Sequence, residues 1–409
     1  MPLSSTEMVA DPAAFYATLR EHGGPVVPVH LDGKVPAWLV IGYDACNTVL
    51  RDGLLFTRDL GQWHVTKQGL LPQDWPMGPH VQPMRNMLFA SGHEHQRLRG
   101  AFKTSLHKVG QRRLHATITR VADRLIDGFV EDGQADIVGQ YAVPLPVAVL
   151  TQLFGFPPED AERLQQTILT LLGGGEGALD ANVSLNAMIE DHVRRRRQEP
   201  RADIVTWLLE ADLSDEETRE TVWLAINAGV GSTTAWAANT CEVLARAEDA
   251  RIDLRSMLRD IPGVMAEVLW NHAPVQQVIG RVATTDLDLH GTRIRRGDLL
   301  IVSPAGANLD HDRFGGRARR ADYVESNASH LAWGSGAHEC PAPGLATAIV
   351  RSGVERLWTR LDDIHLACPE QPTQWNPSII VRLPARLDIA FDPVRARKRA
   401  ATLAPIGDR

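Results

Sequence analysis

The stretch that decides the reading of this chain is Trp333-Gly334-Ser335-Gly336-Ala337-His338-Glu339-Cys340-Pro341-Ala342-Pro343-Gly344. A lone cysteine, Cys340, stands between a Gly-rich turn and a helical run from Leu345 to Leu357. Cys340 is therefore expected near a helix N-terminus, where free N–H groups and the positive end of the helix dipole favour an anion. The thiolate is the form of cysteine that ligates a metal, and this setting is expected to lower its pKa. Gly334 and Gly336 have no Cβ, so the backbone is expected to come close to a flat ligand there. Pro341, just inside the helix, has no N–H to compete for the sulfur.

These residues resemble the haem-binding loop of the cytochrome P450 family, whose pattern is F-G-x-G-x-H-x-C-x-G-x-x-L-A. Gly334, Gly336, His338, Cys340, Leu345 and Ala346 match it. Trp333 stands for the usual Phe, and Ala342 for the usual Gly, which is expected to crowd the loop slightly. The resemblance implies haem b as cofactor with Cys340 as the axial ligand of its iron. It also implies a fold that is mainly α with a small β portion, with haem between a long central helix and the helix after Cys340. The hydrophobic pattern agrees: helical periodicity marks 111–131, 142–154, 158–172, 181–197, 215–247 and 343–360. Trp38-Leu39-Val40-Ile41 and Leu299-Leu300-Ile301-Val302 are short apolar runs that read as strands.

The 409 residues are 44% hydrophobic, enough for a large core, and the net charge of −7 gives no reason to expect nucleic acid. Cys46, Cys241, Cys340 and Cys368 lie far apart, which fits a reducing compartment and argues against a zinc site or disulfide framework. The N-terminus shows no run of membrane or signal length, so a cytoplasmic protein without a membrane association is expected. One domain is expected over 1–392, followed by a basic, disordered tail over 393–409.

Further matches lie on either side of the cysteine. Glu94-His95-Gln96-Arg97-Leu98-Arg99 is similar to the family's E-H-x-R-L-R helix, and His95 and Arg99, four apart, share a helical face. The resemblance assigns both to the haem propionates, with Arg281 of Val278-Ile279-Gly280-Arg281 and with His338; Arg97 is expected on the proximal surface. In the central helix, Ala228-Gly229-Val230-Gly231-Ser232 occupies the family's A-G-x-(D/E)-T positions. Ala228 and Gly229 permit close approach to a flat macrocycle. Gly231 takes the acid position and Ser232 the alcohol position, or Thr233 with a one-residue slip; no carboxylate is present in either register. Ser214-Asp215-Glu216-Glu217 reads as a capping box at the start of this helix.

Two arginines of the family pattern are missing. Glu267-Val268-Leu269-Trp270 stands for E-x-x-R, and Glu325 occupies the arginine position of the meander before Trp333. Either Arg317, Arg319 or Arg320 reaches the stranded Glu267, or Trp270 makes an apolar contact and Glu267 finds backbone donors.

The resemblance implies an oxidoreductase, a cytochrome P450 monooxygenase, that uses O2 and electrons from an NAD(P)H-dependent ferredoxin or flavodoxin. Between Gln96 and Arg120 every charged side chain apart from histidine is basic. An acidic donor is accordingly expected to dock near Arg97, Arg112 and Arg113. The Ala228–Thr233 sequence is similar to that of bacterial members that couple the aromatic rings of cyclic dipeptides. Thr57 to Ser91 is a long excursion of lid length carrying Trp63, Trp75, Met77, Met84 and Met87, suited to packing an aromatic substrate. The expectation is a secondary-metabolism enzyme acting on a bulky, aromatic, largely neutral small molecule, with oxidative coupling of a tryptophan-containing cyclic dipeptide as the leading specific reading. The alternatives are ordinary hydroxylation or epoxidation of another natural product and, in another class, a non-catalytic haem-bound ligand carrier.

Overall fold

The computed structural model describes residues 3, 5–71, 75, 78–81, 84–173, 177–247, 254–315, 324 and 327–394. A central helix, Asp215–Ala247, spans 33 residues, roughly 50 Å at the α-helical rise. Its start is the reciprocal capping box read from the sequence. Glu217 N–H donates to Ser214 Oγ at 3.1 Å, and Ser214 N–H donates to Glu217 Oε2 at 2.9 Å. Asp215, Glu216 and Glu217 in the first turn complement the helix dipole.

The other expected helices form close to their expected bounds: Gln111–Asp127, Pro144–Leu153, Ala161–Gly173, Ala178–Gln198 and Pro343–Arg360. The last of these, the cysteine helix, packs against both the central helix and Gln111–Asp127. A half-buried ion cluster fixes it: Arg356 binds both Asp123 carboxylate oxygens at 2.6 and 3.0 Å, and Arg360 bridges Asp123 and Asp127 at 2.7 and 2.6 Å. Because Arg360 and Arg356 are four apart, one helical face reaches both acids.

Five strands form one sheet: β1 (Val26–Leu31), β2 (Val35–Val40), β3 (Phe56–Thr57), β4 (Val278–Ala283) and β5 (Leu299–Val302), in the order β1-β2-β5-β4-β3. Only β2 and β5 run parallel. The uninterrupted apolar run of β5 is buried at every position, as suits the strand at the middle of the sheet. The β4 register shifts between Ile279 and Arg281, at Gly280, whose φ of +103° excludes other residues without strain. This bulge turns Arg281 into the interior.

Two expectations change here, the lid role of Trp63 and Trp75 and the backbone donors of Glu267, while Trp270 takes the apolar alternative. Trp63 and Trp75 do not face a substrate. Both are buried in the core beside the sheet, with ring centroids 6.1 Å apart, and Trp75 Nε1 donates to Asp32 O. Large rings with few polar atoms gain more from that core than from a solvent-facing lid. Met77 lies outside the described residues. Trp270 is fully buried, meets Phe314 and His330 edge-on and donates from Nε1 to Asn327 O at 3.0 Å. It thus fills the arginine position with an apolar body and one satisfied donor. Glu267 has no hydrogen-bond or ion-pair partner among the described residues, and partial burial pushes its carboxyl pKa up. Arg317, Arg319, Arg320 and Glu325 lie outside the described residues, as does the tail over 395–409. No helix among the described residues is long and apolar enough to cross a membrane.

A raised folded-state pKa makes Glu267 contribute stability that is present below its unfolded pKa and lost as pH rises through the folded value. Glu267→Gln is therefore expected to leave the melting temperature unchanged near pH 4 and to raise it at pH 7. Calorimetry at the two values checks this; a lower melting temperature at pH 7 would show that the carboxylate has a stabilising partner.

Candidate active site

The loop before Cys340 is closed by its own backbone. Cys340 N–H donates to Trp333 O at 2.8 Å, Gly334 N–H to Leu331 O at 2.9 Å, and Glu339 N–H to Gly336 O at 3.1 Å. Gly334 and Gly336 both have φ of +75°, which favours glycine. Their reason differs from the one expected, since neither lines the cavity described below. At Gly336 a Cβ would lie 3.0 Å from Arg51 Cα and Leu50 O, so glycine there lets the loop meet the end of the helix Tyr43–Arg51. Ala342 has φ of −130°, an ordinary conformation, so replacing glycine costs nothing in backbone strain. Its N–H points at Cys340 Sγ, 3.4 Å away.

Cys340 Sγ looks into an apolar cavity with about 920 Å³ of atom-free space. One wall is the cysteine side: Trp333, Cys340, Pro341, Ala342, Leu345, Ala346 and Ile349. The facing wall is the central helix, through Leu224, Ala225, Ala228, Gly229, Ser232 and Thr233. That spacing of three and four is one helical face. Met87, Leu88, Phe102, Leu106, Leu150 and Phe154 close the sides. Trp236 of the central helix meets Trp333 edge-on at 5.3 Å and donates to Met265 O, bracing the two walls.

Ser232 and Thr233 both reach the cavity, whereas Gly231 is buried and not among its lining residues. The residue lacking a side chain at the acid position therefore opens no space in the cavity. Ser232 Oγ donates to Ala228 O at 2.7 Å, so what it offers the cavity is a pair of acceptor lone pairs. Among the described residues, no carboxylate lines the cavity.

At one edge the cavity meets a basin that shares Arg99 and His338 with it and is lined also by His95, Arg281, Arg51 and Lys103. The four residues singled out as propionate partners are thus together. The His95 and His338 rings are 4.2 Å apart. Arg281 donates to Phe56 O and Leu50 O at 3.2 Å each, which leaves its buried Nε without a partner; His95 Nε2 is buried and unpartnered too. Burial, then Arg58, Arg281, His95 and Arg99, push His338 down to about 2. Burial alone lowers Arg281 to about 10. Arg58, near Arg281 but outside the basin lining, is a cation that the sequence reading missed. It follows a two-residue strand in a loop, and no spacing to Cys340 or to the other cations marks it.

The Cys340 thiol is shifted upward, against expectation: burial outweighs the Ala342 N–H and Arg99. The dipole and the amide act in the expected direction, but a thiolate in this apolar setting needs a cation beside it. Arg97 is also displaced from its expected role. It forms ion pairs with Glu94 and with Glu217 at the start of the central helix, so it ties two helices together.

These features together fit haem. The apolar slab suits the macrocycle, the small residues Ala228 and Gly229 would admit it, Cys340 would supply a sulfur ligand to its iron, and the basin donors left unpartnered among the described residues would suit two carboxylates. Arg99→Ala and Arg281→Ala should each weaken haem binding by about 1.5–3 kcal/mol, the worth of a charge-assisted hydrogen bond. Haem content on purification and haem transfer to an acceptor globin measure this; wild-type retention in both variants would contradict the assignment.

Comparison with known proteins agrees with the site. No family model matches the chain. It is 30% identical over 386 residues to cytochrome P450 105C1 of a Streptomyces species, covering 93% of this chain and 95% of that one. It is 30% identical over 377 residues to biflaviolin synthase CYP158A1 of Streptomyces coelicolor, covering 89% of each. The solved structure of CYP154C4 from Streptomyces sp. ATCC 11861 superposes with a TM-score of 0.84 at 26% identity, over 95% of this chain and 98% of that one. With the cysteine loop, the facing helix and the cationic basin in place, the chain belongs to the cytochrome P450 family, as a haem b monooxygenase supplied with electrons by an external redox partner.

Proposed function

We propose that Cys340 ligates the haem iron, that His95, Arg99, Arg281 and His338 hold the propionates, and that the enzyme oxidises a bulky, aromatic, largely neutral small molecule. The observation that carries the substrate reading is the cavity wall. Beside Arg99 and His338 at the propionate edge, and Cys340 below, its polar groups are two hydroxyls, Ser232 and Thr233. An apolar cavity with no carboxylate among its described lining residues favours neutral ring systems.

Haem, when bound, activates O2 with two electrons and two protons. The chain's part is to bind, orient and deliver protons. Ser232 Oγ, with its own proton held by Ala228 O, accepts from a water and orients it; Thr233 is the second hydroxyl on that face. With the acid position glycine, protons arrive through water and hydroxyls or from the substrate itself.

Tryptophan-containing cyclic dipeptides combine these properties, and oxidative C–C or C–N coupling is the reaction we favour for them. Coupling removes two hydrogens in total, reduces O2 to two waters and leaves no O2-derived oxygen in the product. Donor docking falls to exposed Lys103, Arg112 and Arg113, with Arg97 excluded by its ion pairs; Arg113 is anchored in addition on Ala202 O.

Cys340→Ala is expected to lose the thiolate-type reduced, carbon-monoxide-bound spectrum while keeping its helical circular dichroism; an unchanged band would place another ligand on the iron. Turnover of tryptophan-containing cyclic dipeptides under 18O2, read by mass, tests the reaction. A coupled product without label is expected. A labelled monohydroxylated product would replace coupling by hydroxylation, and absence of a substrate-induced spectral shift would remove this substrate class.

A further inference from the structure

Close to Arg281, but not itself lining the basin, lies a buried cation that haem binding was not expected to use. Arg58 follows β3 and is 4% exposed. Its Nε donates to Leu88 O at 3.1 Å, and its Nη1 to Ile279 O at 3.0 Å and Gly280 O at 3.2 Å. These carbonyls solvate the guanidinium without neutralising it. Arg58 forms no ion pair with any described residue. Its nearest charged influence is another cation, Arg281; burial first, then Arg281, lower it to about 9. Burial lowers Arg99 as well, but Cys340 and Glu339 lie close enough to offset part of that. Arg58 and Arg281 are thus two neighbouring buried guanidinium groups with no acid among the described residues to offset them.

Burying one guanidinium without a counter-charge is unfavourable, and burying two side by side adds repulsion. An arrangement built from the β4 bulge and three donated hydrogen bonds holds them there. Gly280 is part of it, since a Cβ at that position would sit 3.4 Å from Arg58 Nη1. His338, in the basin wall, lies within electrostatic reach of Arg58. Its Nη2 makes no hydrogen bond with any described residue, so one donor edge remains for an anion.

We propose that Arg58 is a further haem-anchoring residue, paired with Arg281 against a propionate, and that its buried positive charge raises the reduction potential of the haem iron. A fixed cation near the macrocycle favours the form that carries the extra electron, and its effect is large where water is excluded. Arg58 would then ease the first electron transfer and slow haem loss together. The proposal rests on reading the basin as the propionate end of the site. That reading fails if Arg99→Ala and Arg281→Ala retain haem like the wild type, a result separate from the ones below.

The test uses the purified holoenzyme of the wild type, Arg58→Met and Arg58→Lys. Spectroelectrochemical titration gives the iron potential, and transfer to an apoglobin gives the rate of haem loss. Arg58→Met is expected to have a more negative potential and a haem-loss rate at least several-fold higher. Arg58→Lys keeps the charge but cannot form the planar fork to three carbonyls, so it is expected to keep a potential close to the wild type. Equal shifts in Met and Lys would mean that the carbonyl clamp matters and the charge does not, which overturns the proposal. So would a wild-type potential in Arg58→Met. Should Arg58→Met purify without haem, Arg58→Lys decides: haem retained at near wild-type potential supports the proposal, and its loss contradicts it.

Discussion

Positive charge buried beside an apolar slab, with no acid among the described residues paired to Arg58 or Arg281, is the constraint around which this structure is organised. Carbonyls of Leu50 and Phe56 hold Arg281, and those of Leu88, Ile279 and Gly280 hold Arg58. His95 Nε2 and Arg281 Nε end without partners. A protein interior rarely leaves such groups unsatisfied unless a ligand completes them. A flat molecule with an apolar body and two carboxylates at one edge satisfies the slab and the basin at once. The sheet, the bulge at Gly280 and the loop before Cys340 all serve to bring those groups to that edge.

The second organising feature is the face of the central helix. Ala228, Gly229, Ser232 and Thr233 form one surface, and their small size sets how close the helix backbone comes to the ligand plane. The capping box at Ser214 and Glu217 fixes where that helix begins, and Arg97 on Glu217 fixes its position against the helix Gly92–His107. The rotation that presents Ser232 also turns Gly231 away. Loss of the acid side chain therefore alters proton supply and charge, not cavity volume. Burial raises the Cys340 thiol, while Arg99 and the Ala342 N–H draw it back. Those same groups would hold the thiolate once a cation lies beside it.

Short-range patterns were legible in the sequence because local chemistry sets them. The Gly-turn, Cys and helix order, the capping box, the long helices and the strand Leu299–Val302 all formed as read. The grouping of His95, Arg99, Arg281 and His338 was legible only through family resemblance, since 243 positions (338 minus 95) separate its ends. Arg58 gave no signal, because its environment comes from β4, which is distant in sequence. Trp63 and Trp75 were misplaced because a long Pro- and Gly-containing segment reads as a lid whether or not its rings turn inward. Arg97 was misplaced because a basic run says nothing of acids brought to it by another helix. Trp270 shows the reverse case: an arginine position can be filled by a ring that keeps one donor, and the surrounding packing then becomes apolar.

The central claim is that the slab binds haem with Cys340 on its iron. Iron-edge X-ray absorption of the resting holoenzyme, with Cys340→Ser beside it, tests that most directly. The account predicts one sulfur scatterer in the iron's nearest shell together with the four porphyrin nitrogens, and loss of that sulfur in Cys340→Ser. A nearest shell of light atoms alone in the wild-type protein, or a sulfur that persists in Cys340→Ser, would contradict it.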